Sequence, residues 1–232
     1  MSRYLRSFFA RHFPGSDEKT KIARILKDVD RKAKVLEVGC GYGDKIQLLE
    51  NIGFKGILGI EINPRIVEQA KKRDLNVISV EEFWEKQEDN EFDLIVMSHI
   101  IEHFQWRDLI DFLDNYLECL KEGGYLLIIT PIFHDLFYRD FDHIKPYYPT
   151  GIDMVFGNAG LQVQTYSKNH LVLENIYFRR TQLGLKFYRS LFIQTKFRIP
   201  DLLNVVLSIW FRMSFGLIGK TNGWIGLYRE VP

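Results

Sequence analysis

The sequence predicts an α/β fold in which a mostly parallel sheet carries helices on both faces. Short apolar runs alternate with amphipathic segments between Lys34 and Thr130, an order typical of parallel strands joined by crossover helices. The chain has 232 residues, of which 46% are hydrophobic and 26% charged. This length and composition suit one globular α/β domain with a sizeable core and some sequence beyond it.

The first segment, residues 1–33, is predicted to be a basic-aromatic leader followed by a helix. The helix prediction rests on apolar residues at helical spacing: Ile22, Ile25, Leu26 and Val29. Ser16 and Asp17 are candidate caps for its first turn. The leader has no continuous apolar stretch, so we expect no signal peptide.

The second segment, residues 34–170, is predicted to be the cofactor-binding core. Its predicted strands are Val35–Val38, Ile57–Ile60, Val77–Ile78, Phe92–Met97, Leu126–Ile129 and Leu161–Ser167. Its predicted helices are Lys45–Asn51, Arg65–Lys72, Trp106–Leu120 and Pro149–Ala159. Glu122-Gly-Gly124 is expected to end the third of these helices. The last segment, 171–232, is predicted to be an irregular or helical extension with a final strand at Trp224–Arg229.

A glycine-rich loop, Gly39-Cys-Gly-Tyr-Gly43, lies directly between the first strand and the helix that follows. Glycine lets the backbone turn sharply and approach a ligand closely, here near the positive end of a helix. Dinucleotide sites favour Gly-x-Gly-x-x-Gly, so the tighter spacing argues against a nicotinamide or flavin enzyme.

Two carboxylates flank this loop. Glu37 precedes the first glycine, and a carboxylate there suits a cationic or amine-bearing ligand better than a pyrophosphate. Glu61 ends the second strand, where a carboxylate can accept both ribose hydroxyls. Glu61 could instead be a charge beside the helix start at Pro64. The combination predicts a ligand that carries both a ribose and a positive charge.

Val35–Gly43 together with Gly59-Ile-Glu61 resembles the class I methyltransferases that use S-adenosylmethionine. That family's later motifs are matched, in order and spacing, by Phe92–Ser98, Ile101-Glu-His103 and Leu120–Ile129. The resemblance covers roughly residues 34–131. It implies a Rossmann-like fold, S-adenosyl-L-methionine as cofactor and S-adenosyl-L-homocysteine as product.

The resemblance also implies which residues contact the cofactor. Its methionine end would be lined by Glu37, Gly39, Cys40, Gly41 and Gly43. Glu61 would hold the ribose, and the adenine would be flanked by Ile62, Val80 and Glu81. The centre of the cofactor would face Ser98 and His99. The family often has Asp near position 81, so Glu81 departs from its pattern.

His99-Ile-Ile-Glu-His103 also fits the His-x-x-Glu-His pattern of inverted zinc peptidases. Histidines four residues apart share a face, as zinc ligands must, only on a continuous helix. Here the motif directly follows the apolar strand Phe92–Met97, which favours a strand-to-helix loop over the cofactor. We therefore expect no metal site, and both histidines could also simply pack against the core.

Methyl transfer to a hydroxyl group requires an aligned acceptor and removal of a proton. The candidate proton acceptors are His103 and His143, with Glu102 or Asp142 as candidate orienting carboxylates. His134 and Asp135 are weaker candidates. No Ser-His-Asp pattern is expected, because methyl transfer needs no covalent nucleophile.

Asp142–Pro149 resembles the Asp-x-x-His-x-(Arg or Lys)-Pro-Tyr segment of many bacterial methyltransferases, often of glycan or cell-envelope metabolism. The likeness extends to Asp142, His143, Lys145 and Tyr147 and no further. The alternative is a loop in which the two adjacent tyrosines, Tyr147 and Tyr148, pack on the sheet.

Basic and aromatic residues are interleaved near both ends of the sequence. In the leader these are Arg3, Tyr4, Arg6, Phe8, Phe9, Arg11 and Phe13. Between Asn175 and Pro200 there are six basic residues and no acidic one: Arg179, Arg180, Lys186, Arg189, Lys196 and Arg198. Such mixtures suit a membrane interface, RNA or an acidic substrate. Leu202–Ile218 is too short and too polar for a transmembrane helix, and could be a buried cap or a homodimer surface.

The sequence therefore predicts an S-adenosylmethionine-dependent methyltransferase that acts on oxygen of a small-molecule, glycan or lipid-linked acceptor. The alternatives are an RNA or protein methyltransferase and a non-catalytic membrane-associated module that keeps the cofactor fold. Nucleic acid is the less favoured partner, because no Asn-Pro-Pro-Tyr-like motif follows the fourth strand. Cys40 and Cys119 show no disulfide pattern, so we expect a cytoplasmic protein, with peripheral contact to the inner face of the membrane as an option.

Overall fold

The computed structural model describes residues 18–86, 91–157, 163–185, 199–214 and 216–231. Its seven strands are β1 (Lys34–Val38), β2 (Gly56–Glu61), β3 (Val77–Ser79), β4 (Phe92–Ser98), β5 (Leu120–Pro131), β6 (His170–Thr181) and β7 (Lys220–Val231). They form one sheet in the order β3-β2-β1-β4-β5-β7-β6. The first five strands are parallel, whereas β7 pairs antiparallel with both β5 and β6. The predicted mostly parallel sheet is confirmed.

Seven α-helices surround the sheet in the described part of the chain. They are α1 (Glu18–Ile25), α2 (Asp44–Asn51), α3 (Pro64–Lys71), α4 (Val80–Lys86), α5 (Trp106–Leu117), α6 (Pro149–Phe156) and α7 (Ile199–Met213). Two short 3₁₀ turns lie at Ile101–His103 and Phe137–Arg139. Helix α3 begins where the sequence favours it, because the Asn63 side chain accepts a hydrogen bond from the Arg65 N–H and Pro64 takes the first helical position.

Helices cover both faces of the sheet, and the strands are accordingly apolar on both sides. Alternate residues of each strand enter two separate cores. In β1, Leu36 and Val38 belong to the core that includes α4, α5 and α6. Val35 belongs to the other core, which includes α1, α2 and α3. Burial on both faces explains why β1 and β4 are continuous apolar runs in the sequence.

Two predicted elements differ from the structure. The helix predicted to end at Gly123-Gly124 ends instead at Leu117, and both glycines lie within β5. The pairing of β4 with β5 shifts register there, and a side chain at Gly124 would collide with Leu120. The strand predicted at Leu161–Ser167 is absent from its described part, 163–167.

Two elements were not predicted. Helix α4 begins at Val80, where the sequence suggested only loop residues beside the adenine. Strand β6 is long, but most of its residues are half-buried or exposed, so it has no apolar alternation to detect. The predicted boundary between residues 170 and 171 falls inside β6, and β6 and β7 extend the same sheet as the core strands.

The remaining predictions about the ends are only partly covered by the structure. The leader, with Ser16 and Asp17, and the basic residues Lys186, Arg189, Lys196 and Arg198 lie outside the described residues. Cys40 and Cys119 are both buried and form no disulfide. Within the described ranges, no helix has the length and apolar character needed to cross a bilayer.

Candidate functional site

The predicted cofactor residues lie at the edge of the sheet where the parallel strands end. The loop after β1 is fastened to β2 because the Cys40 N–H donates to the Ile60 carbonyl (3.0 Å) and the Gly41 N–H donates to Glu61 Oε2 (2.9 Å). The segment after β4 reaches the same loop, since Ile100 lies directly beside Gly39. The structure thus brings together residues that are far apart in the sequence.

Each glycine of the loop has a left-handed backbone, with φ of 66° at Gly39, 53° at Gly41 and 81° at Gly43. Other residues adopt this conformation only at a cost. A Cβ at Gly39 would lie 2.3 Å from Ile100 Cδ1, so this glycine also permits close packing. A Cβ at Gly41 would have no neighbour within 4 Å. Gly41 therefore faces open space, where a ligand can approach the backbone.

Glu37 is a buried carboxyl group beneath this loop, with only 2% of its surface exposed. Its Oε2 has no hydrogen-bond partner among the described residues. Burial raises the pKa of Glu37 to about 8, although nearby Lys45 acts in the opposite direction. A buried, unpaired carboxyl group is costly unless a donor or a cation reaches it. Glu37 is consequently suited to receive a cationic group from a ligand.

Glu61 is held in place by main-chain donors. Its Oε2 accepts from the Gly41 N–H and its Oε1 accepts from the Asn63 N–H, both at 2.9 Å. A carboxylate oxygen can accept more than one hydrogen bond, so both oxygens keep capacity for ligand hydroxyls. Together with Glu37 and the open backbone at Gly41, this arrangement fits the ammonium group and ribose of S-adenosylmethionine.

The other predicted cofactor residues differ in accessibility. Ile62 is 73% exposed at the end of β2, as a residue flanking an adenine ring must be accessible. Val80 is half-buried and Glu81 exposed, both in the first turn of α4. The Cys40 side chain is buried in the core against Gly59, and burial raises the pKa of its thiol to about 12. Any cofactor contact from Cys40 would therefore come from its main chain.

Ser98 is half-buried at the end of β4, and His99 follows it with a φ of 59°. A left-handed conformation is uncommon for a residue with a side chain and often marks a functional position. His99 Nδ1 lies 3.0 Å from Glu102 Oε1, and Arg179 Nη1 lies 2.9 Å from His99 Nε2. Because the guanidinium can only donate, Nε2 accepts and Nδ1 donates to the carboxylate.

Glu102 is fully buried, and both of its oxygens are engaged. The Thr130 hydroxyl donates to Oε2 (2.9 Å), while His99 occupies Oε1. Burial alone would raise the pKa of Glu102, but the hydrogen bonds from His99 and Thr130 bring it below its usual value. Glu102 is thus an ionised carboxylate with a fixed orientation. It was predicted to orient His103 but is paired with His99, because residues 99 and 102 face each other across the 3₁₀ turn.

An ion-pair chain missed by the sequence analysis closes one side of this edge. Glu18 of α1 pairs with Arg179 of β6 through Oε2 (2.5 Å) and with Lys45 of α2 through Oε1 (2.6 Å). Burial would raise the pKa of Glu18, but the two cations hold it below its usual value. Arg179 stood out in the sequence only as one of several basic residues, and its contact with His99 depends on the unpredicted strand β6.

His103 and His143, the two candidate proton acceptors, lie beside each other with ring centroids 5.0 Å apart. His103 Nδ1 is 3.1 Å from the Asp142 carbonyl, and His143 Nδ1 is 2.8 Å from the Phe137 carbonyl. A carbonyl oxygen only accepts, so each ring donates from Nδ1. Nε2 of each neutral ring is then left as an acceptor. Asp142 therefore orients His103 through its main chain, whereas its carboxylate was the predicted group.

The loop that carries His143 is fastened to the 3₁₀ turn that carries His103. The Ile144 and Lys145 N–H groups both donate to the Glu102 carbonyl, at 2.9 and 3.2 Å. Tyr147 is buried and its hydroxyl donates to the Phe104 carbonyl (3.0 Å), whereas Tyr148 is exposed. Tyr147 thus has a packing role, as the alternative interpretation of this segment held.

A cavity of about 610 Å³ opens in front of the two histidines. It is bounded on the cofactor side by His99 and Arg179, and on the opposite side by Arg139 and Asp140. His134 lines the same space. The cavity therefore connects the group that faces the predicted cofactor position, His99, with the candidate proton acceptors.

Comparison with known proteins identifies relatives by sequence. A family model described as "Methyltransferase domain" matches residues 9–166. The demethylmenaquinone methyltransferases of Chlorobaculum tepidum and Chlorobaculum parvum are each 28% identical to the chain over 114 residues, which is 48% of this chain. The match spans just under half, 46%, of the length of these curated relatives.

Solved structures share the fold across nearly the whole chain. A SAM dependent methyltransferase from Archaeoglobus fulgidus superposes with a TM-score of 0.59 at 19% identity, covering 98% of this chain and 100% of that one. An S-adenosylmethionine dependent methyltransferase from Mesorhizobium loti superposes with a TM-score of 0.52 at 11% identity, covering 90% and 96% of the two chains. At sequence identities this low, the comparison with these two structures shows a shared fold and nothing further.

Proposed function

Because the chain belongs to the methyltransferase domain family and is a class I enzyme dependent on S-adenosylmethionine, we propose that it methylates a hydroxyl oxygen. The acceptor would be a small molecule, a glycan or a lipid-linked compound that enters the cavity in front of His103 and His143. The observation that carries this proposal is the pair of histidines whose Nδ1 atoms are both occupied by main-chain carbonyls.

Bound S-adenosylmethionine would supply a methyl group that the sulfonium already activates toward attack. The chain's own task is then to hold the cofactor, align the acceptor and accept a proton. Glu37 would receive the ammonium group, Glu61 the ribose hydroxyls, and the backbone at Gly41 would lie against the cofactor. His99, fixed by Glu102 and Arg179, would lie beside the opening through which the acceptor reaches the cofactor.

The histidine pair suits proton removal from a hydroxyl group. An imidazole with Nδ1–H donated to a carbonyl presents Nε2 as a proton acceptor near neutral pH. An acceptor hydroxyl in the cavity could reach Nε2 of His103 or His143. Nitrogen acceptors need no such base when they are already neutral amines, so the pair favours oxygen.

We further propose that the acceptor is reached at a lipid surface through α7. Among residues 202–213 of α7, whose side chains the structure describes, the exposed ones are all apolar and lie on one face: Leu202, Leu203, Val206, Ile209, Trp210 and Met213. A helix with one apolar face suits insertion into the boundary region of a bilayer. The relatives are named for demethylmenaquinone, a lipid-soluble quinone, which makes a lipid acceptor the first class to examine.

The test begins with methyl groups carrying a radioactive label. The purified chain is incubated with labelled cofactor and cell extract separated into lipid, glycan, RNA and protein fractions, and with demethylmenaquinone alone. We expect label in the lipid or glycan fraction, with an ether linkage. Label transferred to demethylmenaquinone would be bound to carbon and would contradict an oxygen acceptor. Label only in RNA or protein would contradict the acceptor class, and no transfer together with intact cofactor binding would favour a non-catalytic module.

The histidine pair is then tested on the labelled acceptor. His103→Ala and His143→Ala should each lower kcat by about 10²- to 10⁴-fold, the range typical of a lost general base, with unchanged affinity for the cofactor. His134→Ala lines the same cavity and serves as the matched control, with kcat near that of the unaltered chain. Normal turnover by both His103→Ala and His143→Ala would refute their role.

A further inference from the structure

We propose that Glu102, His103 and His143 form a binding site for a divalent first-row transition-metal ion at the wall of the acceptor cavity. One carboxylate oxygen of Glu102 and one ring nitrogen of each histidine lie within 4.8 Å of one another. In a tetrahedral site, ligand atoms at about 2.1 Å from the ion lie roughly 3.4 Å apart. Atoms up to 4.8 Å apart must therefore approach one another by as much as roughly 1.4 Å, a movement that rotations of the side chains can supply.

The histidine tautomers favour an ion. Both rings donate Nδ1–H to main-chain carbonyls, those of Asp142 and Phe137, which leaves Nε2 as the nitrogen with a lone pair. Histidines that bind metals are commonly fixed in this way, with the second ring nitrogen donating to a carbonyl or carboxylate. His143 Nε2 also lies 3.7 Å from Asp140 Oδ2, another acceptor atom. A cation bound by His143 Nε2 would therefore also lie near this carboxylate.

The Glu102 carboxylate is also held in a fixed orientation that suits an ion. Glu102 is fully buried, and hydrogen bonds from His99 to one oxygen and from Thr130 to the other fix its orientation. Each oxygen retains a further lone pair for an ion. His99 thus contributes as a positioning residue, through the carboxylate, and its own Nε2 is occupied by Arg179.

The ligands come from two segments that the main chain already holds together. Glu102 and His103 lie on the 3₁₀ turn after β4, and His143 lies on the loop after β5. The hydrogen bonds from the Ile144 and Lys145 N–H groups to the Glu102 carbonyl tie that loop to the turn. Little ordering is then left for the ion to impose, which favours binding. The His-x-x-Glu-His pattern did not predict this site, because the second histidine comes from the later loop.

The ligand set indicates the class of ion. Two imidazoles and one carboxylate suit Mn²⁺, Fe²⁺, Co²⁺ or Zn²⁺ better than Mg²⁺ or Ca²⁺, which prefer oxygen ligands alone. The adjoining cavity leaves positions open for water or for an acceptor hydroxyl. This part of the inference rests on the proposed function: an ion in the site would lower the pKa of that hydroxyl. The two Nε2 atoms would take the proton themselves only in the ion-free chain.

The site is tested by metal binding without cofactor or acceptor. The full chain is dialysed against a chelator and titrated with Co²⁺, followed by its visible absorption bands, and with Zn²⁺ in equilibrium dialysis. We expect one ion per chain with tetrahedral or five-coordinate Co²⁺ bands. His103→Ala and His143→Ala should each weaken binding by at least about 10-fold, the loss typical of perturbed ligand shells, and His134→Ala should not.

Glu102→Gln should also weaken binding, and its melting temperature shows whether this buried variant remains folded. If Glu102→Gln does not fold, the two histidine variants still test the site. His103 and His143 are only half-buried, so we expect these variants to fold. The site would be overturned if neither Co²⁺ nor Zn²⁺ bound at micromolar concentrations. It would also be overturned if a variant carrying both His103→Ala and His143→Ala bound the ion as well as the unaltered chain. Binding without methyl transfer would refute the proposed function alone, and full transfer by the chelated chain would refute the ion's role alone.

Discussion

At the residue scale, Glu37 illustrates how the fold reserves a group for a ligand. Its carboxyl is buried beneath the glycine loop, and one oxygen has no partner among the described residues. Such a group lowers the stability of the free protein, and a cation bound beside it would compensate this cost. The sequence identified Glu37 from its position before Gly39, but the unpaired oxygen could be seen only in the structure.

Glu37 should make the stability of the cofactor-free protein depend on pH. Its pKa is about 8 in the folded chain, against a usual 4.5. Below pH 4.5 both states carry the proton, so Glu37 adds no pH dependence there. As pH rises toward 8, the unfolded chain loses the proton first, so the free energy of unfolding falls by an amount on the order of 4 kcal/mol.

Glu37→Gln removes the titrating group while keeping its size. We expect its advantage in free energy of unfolding over the unaltered chain to grow between pH 5 and pH 8, measured by urea denaturation without cofactor. The comparison cancels every other titrating group. The same variant should bind the cofactor about 10- to 100-fold more weakly, the loss typical of a charge-assisted hydrogen bond. Parallel stability curves would show that Glu37 is not protonated in the folded chain.

The glycine loop allows a matched pair of substitutions. Gly41 and Gly123 both have left-handed backbones, with φ of 53° and 71°, and a Cβ at either would have no neighbour within 4 Å. Alanine should therefore cost about 1–2 kcal/mol of stability at each position. Only Gly41→Ala places a methyl group where the cofactor is proposed to lie. We expect Gly41→Ala to weaken cofactor binding at least 10-fold in calorimetric titration and Gly123→Ala to leave it unchanged; equal affinities would contradict this placement of the cofactor.

At the element scale, the sequence predicts β1, β2 and β4 well because most of their residues are buried, with side chains in both cores. Continuous apolar runs mark such strands regardless of their neighbours. Strand β6 was missed because its side chains are mostly half-buried or exposed and its pairing with β7 is interrupted by two register shifts. The local pattern of an edge strand depends on its partner, which a single sequence does not reveal.

The candidate site likewise has a part that the sequence predicts and a part that only the structure reveals. The predicted cofactor residues from Glu37 to Glu61 belong to a motif between Val35 and Glu61 and could be proposed from its spacing. The others were proposed only from the resemblance to the family: Ile62, Val80, Glu81, Ser98 and His99. The proximity of His103 to His143 could not, because it depends on how the loop after β5 folds back onto the 3₁₀ turn after β4. The contact of Arg179 with His99 could not be predicted either, because it depends on the position of β6 in the sheet.

Helix α7 supports a prediction about membranes. Trp210→Glu and Leu203→Glu place charges on its exposed apolar face, so both should reduce co-sedimentation with phospholipid vesicles several-fold. Val172→Glu is the matched control, because Val172 is 48% exposed on β6, away from that face. Analytical ultracentrifugation of the same proteins tests the alternative, in which the apolar face of α7 forms a dimer. Loss of a dimer in Trp210→Glu, without any vesicle binding by the unaltered chain, would assign the face to a second copy.

At the scale of the whole molecule, the last two strands complete the sheet that carries the cofactor site. Strand β7 pairs with β5 along seven residues, from Tyr125 to Pro131, and buries Trp224 and Tyr228 completely. Strand β6 then delivers Arg179 to Glu18 and His99. The C-terminal part therefore contributes both core packing and site geometry, although the sequence suggested a separate extension from residue 171.

Removing residues 170–232 should consequently prevent the remaining chain from folding to a stable state. The truncation deletes two strands and exposes β5 as a long apolar edge, a known source of aggregation. It also leaves Glu18 and His99 without Arg179, and it opens the core against which Trp224 packs. We expect the shortened chain to bind a dye specific for exposed apolar surface, to melt without a cooperative transition and to lose cofactor binding.

As a control, residues 170–232 are added to the shortened chain as a separate polypeptide. If the two polypeptides pair as β5 and β7 do in the full chain, a cooperative melting transition should return. Arg179→Ala separates the two contributions of this region. It keeps the sheet intact, so it should melt cooperatively, at a lower temperature because Glu18 loses a partner. A shortened chain that melts cooperatively and binds the cofactor would instead show that residues up to 169 form an independent core, as the sequence division at residue 170 implies.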